Sequence, residues 1–193
     1  MAVKMRQDML QTTTPLLRRS HRRDYPVVLM TCRIAGSGKS TLAKAVINEL
    51  PYSTRLTIDE IVYEKHGLYG VDYPTSDSLY QQYQKEADKI FIDLFRKSLK
   101  ENKDIVLDRS FYSKGGAEGV HALVEDGGGK WVLVYLKARS KEELWDRICE
   151  RSAKGKDANS AMDISRSTFE TYWRAFEEPQ GEGEVGIRSL PPT

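Results

Sequence analysis

The residues Ala35-Gly36-Ser37-Gly38-Lys39-Ser40-Thr41 have the types and spacing to hold a polyphosphate. The glycines free the backbone so that successive N–H groups turn inward around an anion. Lys39 adds a positive charge suited to the β- and γ-phosphates, and Ser40 offers a hydroxyl oxygen to Mg²⁺. An apolar run, Val27–Cys32, precedes the loop, and a helical pattern, Lys39–Leu50, follows it. Strand, glycine loop, Lys-Ser/Thr and helix is the context in which this motif binds phosphate, and the helix N-terminus favours the same anion. Gly36, Ser37, Gly38, Lys39, Ser40 and Thr41 are therefore the candidate nucleotide-binding residues.

The full motif is Gly-x-x-x-x-Gly-Lys-Ser/Thr, and its first glycine position holds Arg33. A left-handed backbone there costs a non-glycine residue about 1–2 kcal/mol. Three readings of Arg33 stand. It points outward and leaves the loop intact, it lends charge to the phosphates, or it folds over the loop, pairs with an acid and blocks ATP.

Two carboxylates close apolar runs. Asp108 ends Asp104-Ile105-Val106-Leu107-Asp108, and a strand-end Asp beside a phosphate loop is a usual Mg²⁺-holding group. An Asp capping the following turn is the plainer alternative. Asp59 ends Leu56-Thr57-Ile58-Asp59 before a short helical stretch, Glu60–Lys65. It suits an N-cap, and it also suits a base facing an incoming hydroxyl. Arg147 and Arg151 lie four apart on one helix face. They are either solvated partners of neighbouring acids or cations that a lid closes over the phosphates. Tyr63, Tyr69, Tyr73, Tyr80 and Tyr83 crowd the connection after Asp59, as a packed flap or an acceptor-binding surface.

The elements that must position these groups alternate along the chain. Strands are expected at Val27–Cys32, Arg55–Ile58, Ile105–Leu107, Trp131–Leu136 and Val185–Ile187. Helices are expected at Lys39–Leu50, Leu79–Lys100, Gly116–Val124, Lys141–Lys154 and Ser165–Phe176. Short apolar strands separated by helices predict an α/β fold, a five-stranded parallel sheet with helices on both faces. Gly127-Gly128-Gly129 reads as a turn, because no Lys-Ser follows it. Leu190-Pro191-Pro192-Thr193 reads as an unstructured end.

Charge and composition narrow the function. The chain has 193 residues and a net charge of +2. Six of the basic residues fall in residues 1–24, leaving 24 basic against 26 acidic residues over 25–193. That balance gives the body of the chain no footprint for long nucleic acid. The expected division is a basic N-terminal extension, 1–24, solvated or loosely packed, and a catalytic domain, 25–190. A mitochondrial presequence is a minor alternative for the extension. No apolar run approaches membrane-spanning length. Cys32 and Cys149 make no disulfide framework, and His21, His66 and His121 have no metal-ligand spacing. A reduced, cytoplasmic setting fits, without membrane attachment.

Gly36–Thr41, Thr57-Ile58-Asp59, Val106-Leu107-Asp108-Arg109-Ser110-Phe111, Leu144–Arg151 and Phe176-Glu177-Glu178-Pro179 together resemble the zeta-toxin-like group of AAA-domain, ATP-binding P-loop kinases. That group is similar to polynucleotide kinase, gluconate kinase and chloramphenicol phosphotransferase. The resemblance runs from about Tyr25 to Ile187. It implies an NMP-kinase-like P-loop NTPase fold, ATP and Mg²⁺ as cofactors, and transfer of the γ-phosphoryl group to a hydroxyl. It also implies roles: Lys39 on phosphate, Ser40 on Mg²⁺, Asp59 as base or hydroxyl ligand, Arg147 and Arg151 as lid arginines. Two departures bear on turnover and not on fold. Arg33 replaces the loop glycine, and Gly115-Gly116-Ala117-Glu118-Gly119 lacks the charged Asp-Arg pair of close relatives.

The leading expectation is a kinase acting on a small-molecule hydroxyl. The alternative is a nucleotide-binding pseudo-kinase or regulatory module impaired by Arg33. A nucleic-acid-end kinase is disfavoured by the mildly acidic body, and a motor ATPase by the short chain.

Overall fold

The computed structural model describes residues 2–17, 25–111, 113–155 and 164–188. The chain end from Ser189 and the basic residues Arg18, Arg19, Arg22 and Arg23 lie outside them. In chain order the elements are α1 (Ala2–Leu17), β1 (Val27–Cys32), α2 (Lys39–Glu49), β2 (Thr54–Leu56), α3 (Ile58–His66) and α4 (Asp77–Lys100). Then come β3 (Ile105–Leu107), α5 (Lys114–Asp126), β4 (Lys130–Lys137), α6 (Lys141–Ala153), α7 (Arg166–Ala175) and β5 (Val185–Arg188).

The five strands form one sheet in the order β2-β3-β1-β4-β5, and every pairing is parallel. Parallel strands joined by helices are covered on both faces, which is why β1 is an unbroken apolar-type run with all six residues buried. Alternate residues serve opposite faces. Val28, Met30, Ile105 and Leu107 join Phe91, Phe95 and Leu99 of α4 and Val120 and Val124 of α5. Val27, Leu29, Val106, Val132 and Val134 join Leu42 and Val46 of α2 on the other side.

Helix α4 forms where apolar residues recur at helical spacing, and Ser76 caps it by accepting from the Leu79 N–H. Its buried stripe runs through Ala87, Phe91, Phe95 and Leu99, while Leu94 lies outside it. Gly127 caps α5 and Gly128 turns with φ 70°, so the glycine triplet is a turn, as its residues predict. The register of β1 is pinned at its start, where the Val27 N–H donates to buried Asp104 Oδ1 at 2.8 Å. Among the described residues no helix is long and apolar enough to cross a membrane.

Two expectations differ from the fold. The N-terminal segment is expected to be loose, yet residues 2–17 form a helix that buries Met9 and Leu17 against the α2 face of the sheet. Its buried residues Met9, Thr13 and Leu17 are four apart, a helical stripe that the basic composition of the segment obscures. The second strand also ends earlier than expected: β2 covers Thr54–Leu56 rather than 55–58, and Ile58 already begins α3. Helix α3 takes 58–66 and α4 begins at Asp77, leaving only 67–76 as loop.

Candidate active site

Strand β1 is central, with β3 on one side and β4 on the other. Ligands of such sheets bind beyond the carboxyl ends of the strands where the order reverses. The glycine loop leaves β1 at that place. Gly36 and Gly38 take φ 83° and 93°, a left-handed backbone that glycine reaches without a Cβ clash. Gly38 is the N-cap of α2 and supplies no side-chain cap, so its own side chain takes none of the first N–H groups of α2. An ideal Cβ on Gly36 would stand 2.5 Å from the Leu144 carbonyl oxygen, so α6 packs directly on the loop.

Lys39 reaches back across the loop and donates to the Ile34 carbonyl at 3.0 Å. Burial pushes its pKa down to about 8, against the opposing pull of Asp108 and Asp59. Ser37 is fully buried, and its hydroxyl has no hydrogen-bond partner among the described residues. Thr41 follows Ser40 in the first turn of α2 and is partly buried.

Asp108 leaves β3 on the α2 face, the side that Val106 also serves. Ser40 Oγ donates to its Oδ1 at 3.2 Å. Its Oδ2 accepts two bonds from Arg55, from Nε at 3.1 Å and from Nη2 at 2.6 Å. Arg55 Nη1 also pairs with Glu60 at 3.0 Å. Arg55 is absent from the residues expected to matter. Its signal in the sequence is a lone charge inside a strand candidate; its partner depends on strand register. The pairing Arg55 with Val106 places Asp108 two residues further on the same face.

Asp59 is not the N-cap expected. Thr57 occupies that position and Asp59 lies in the first turn of α3. Burial and the charge of Asp108 push its pKa up to about 6, while Lys39, Arg151 and Arg55 pull it down. Asp59, Asp108, Lys39, Arg151 and Arg55 thus share one electrostatic neighbourhood. Tyr73 and Tyr80 border it: both hydroxyls are pushed up, burial first, with Asp59 among the contributing charges. The Tyr73 hydroxyl is buried without a hydrogen-bond partner among the described residues, while Tyr63 is exposed.

The two arginines of α6 separate. Arg151 acts on both Lys39 and Asp59. Arg147 instead donates to the Gly36 carbonyl at 3.3 Å and pairs with Glu143 at 2.7 Å. The pairing with an acid is intrahelical, as one reading expects, but it is largely buried rather than solvated, the two side chains being 11% and 12% exposed.

The Arg33 side chain is buried among aromatic rings. Its guanidinium carbon lies 4.8 Å from the Phe176 ring centre, 4.9 Å from Trp173 and 5.5 Å from Tyr135. Its Nη1 donates to the Tyr135 hydroxyl at 2.6 Å. These contacts are with aromatic rings and a hydroxyl rather than with the acid that the blocking reading expects. The side chain is buried rather than outward, held as a cation in an aromatic cage. The backbone there has φ 155°, at the edge of the region that glycine favours.

The donors around Ser40 and Asp108 are hydroxyl and carboxylate oxygens, the hard ligands that Mg²⁺ prefers, and they touch one another beside the loop.

Residues 28–179, most of the chain, match the family model of the AAA domain, AAA_33. The chain belongs to this AAA domain family. Solved structures share the fold at low identity. A protein from Chloroflexus aurantiacus superposes with a TM-score of 0.64 at 18% identity, over 84% of this chain and 86% of its own. A gluconokinase from Sinorhizobium meliloti gives 0.53 at 18%, over 89% and 86%. A fungal RNA kinase gives 0.57 at 14%, over 86% of this chain and 38% of its own. No curated protein matches by sequence. The AAA domain here is therefore a P-loop NTPase with the fold of P-loop kinases.

Proposed function

We propose that this AAA domain transfers the γ-phosphoryl group of ATP to a hydroxyl of a small molecule. The observation that carries the reading is the contact of Ser40 with Asp108 beside Lys39, with Asp59 in the same charged neighbourhood. The loop and the α2 N-terminus take the phosphates, and Lys39 exchanges its bond to Ile34 for phosphate oxygens. Ser40 and Asp108 would hold Mg²⁺, which supplies charge compensation on the phosphates. Arg151 adds positive charge from the α6 side as negative charge spreads over the transferring group.

Asp59 has the role of receiving the acceptor proton. The acceptor oxygen bonds to the γ-phosphorus, the bond from that phosphorus to the ADP oxygen breaks, and the hydroxyl proton passes to the Asp59 carboxylate. A pKa near 6 leaves that carboxylate ionised at neutral pH yet more basic than an ordinary Asp.

The fold relatives include a kinase of gluconate and a kinase of RNA. The balance of 24 basic to 26 acidic residues over 25–193 favours the small molecule. The reading in which Arg33 disables the loop loses support, since the side chain is caged elsewhere. A coupled assay of ADP release against a panel of hydroxyl compounds, with a 5′-hydroxyl RNA oligonucleotide included, tests this. Acceptor-dependent release with one small compound class is expected. Binding of Mg·ATP without acceptor-dependent release from any of them would favour a nucleotide-binding module.

A further inference from the structure

Asp108 has both carboxylate oxygens engaged before any nucleotide arrives. Ser40 donates to Oδ1, and Arg55 donates twice to Oδ2. Arg55 is not a loose surface cation. Its side chain is 11% exposed, and Glu60 holds the remaining arm at 3.0 Å. The parallel register of β2 and β3 places it: the Asp108 N–H donates to the Leu56 carbonyl at 3.0 Å, which ties the end of β3 to the residue after Arg55. The guanidinium therefore stands where a carboxylate would otherwise offer its free oxygen to a divalent cation.

We propose that Arg55 is a positioning residue that competes with the divalent cation for Asp108 and so sets how strongly nucleotide binding depends on metal. The claim rests on the reading of the loop as an ATP site.

Two opposed effects follow from its charge. Without metal, a triphosphate entering the loop meets the carboxylates of Asp108 and Asp59, and Arg55 offsets their repulsion. With metal, the cation meets a carboxylate already paired with a fixed positive group, and like charges at this range repel. Removing the guanidinium weakens metal-free binding and strengthens the metal-assisted mode. A salt bridge that only joins β2 to β3 would change neither relative to the other.

Calorimetric titration of ATP in excess EDTA and in excess Mg²⁺ reads this directly, as the ratio of the two dissociation constants. In Arg55→Gln the ratio should exceed that of the unaltered chain by at least about tenfold. Arg55→Lys keeps a point charge without the two-bond grip, so its ratio should rise by about threefold. Thermal melts of each variant establish that it is folded, and if the Gln variant is not, the Lys variant carries the comparison. A ratio within twofold of the unaltered chain's, in whichever folded variant is compared, overturns the proposal and leaves Arg55 a plain ion pair. If the unaltered chain binds ATP in neither buffer, the reading of the site fails, and the claim about Arg55 with it.

Discussion

Arg147 donates from Nη1 to the Gly36 carbonyl oxygen at 3.3 Å, so helix α6 is tied directly to the glycine loop. The approach is close because Gly36 has no side chain. The Leu144 carbonyl stands 2.5 Å from where its Cβ would be, with Ile148 Cγ1 at 3.3 Å. Arg147 thus belongs to the scaffold of the loop, while the charge of Arg151, one turn on, is felt by Lys39 and Asp59.

Gly36→Ala should damage the loop twice over. The added Cβ collides with backbone, which cannot swing aside, and φ 83° costs a non-glycine residue about 1–2 kcal/mol. The expected outcome is a lowered melting temperature and loss of nucleotide binding. Gly38, with open space around it, should suffer from φ alone when changed to Ala. Melting curves of the two variants compare the effects directly, and an equal loss in both would show that α6 yields to the new side chain.

Lys39→Ala should abolish phosphoryl transfer and leave the fold intact. Its hydrogen bond to the Ile34 carbonyl is local to the loop, and the role proposed for it is electrostatic. Turnover at the unaltered rate would remove Lys39 from the site.

Asp59 and Lys39 together predict a bell-shaped pH dependence of kcat/KM, which reports the free protein. The base must be ionised, so activity rises through about pH 6; the ammonium must be protonated, so activity falls above about pH 8. Asp59→Asn should lower kcat strongly, remove the rising limb and leave ATP affinity nearly unchanged. A collapse of ATP affinity would assign Asp59 to the nucleotide instead, with Asp108 the next candidate for the base.

The same carboxylate gives a stability prediction. The folded chain holds the proton of Asp59 up to about pH 6, against an ordinary value of 3.8. Folding is therefore helped by that proton at low pH, and the help is lost as pH rises through about 6. Asn carries no such charge. The melting temperature of Asp59→Asn relative to the unaltered chain should be higher at pH 7.5 than at pH 4.5, and a pH-independent difference would contradict the burial of the charged form.

Arg33 separates strain from cage. Ala at this position keeps the unfavourable backbone and loses the aromatic contacts; Gly loses the contacts but relaxes the backbone. Arg33→Ala should be less stable than Arg33→Gly by about 1 kcal/mol. Because the side chain is held by Tyr135, Trp173 and Phe176 rather than by loop residues, Mg·ATP affinity should change less than about threefold in either. Tighter binding by tenfold in the glycine variant would instead mean that Arg33 crowds the phosphates.

What the residues determine alone is local. The loop Ala35–Thr41, the limits of β1 and the start of α2 at Lys39 follow from neighbours a few positions away, through apolar runs, glycine freedom and helical spacing. The parallel sheet follows too, because short apolar strands between helices have few other ways to bury both faces. The placement of Asp108 beside Ser40 is legible once the sheet is assumed. Other relationships are not. Arg55 meets Asp108 across 53 residues, Arg33 meets Tyr135 across 102, and Arg147 meets Gly36 across 111. Each depends on strand register or on how a helix seats against the sheet. Those are decided by the packing of the whole core, in which a one-residue shift would send the same side chain to the opposite face.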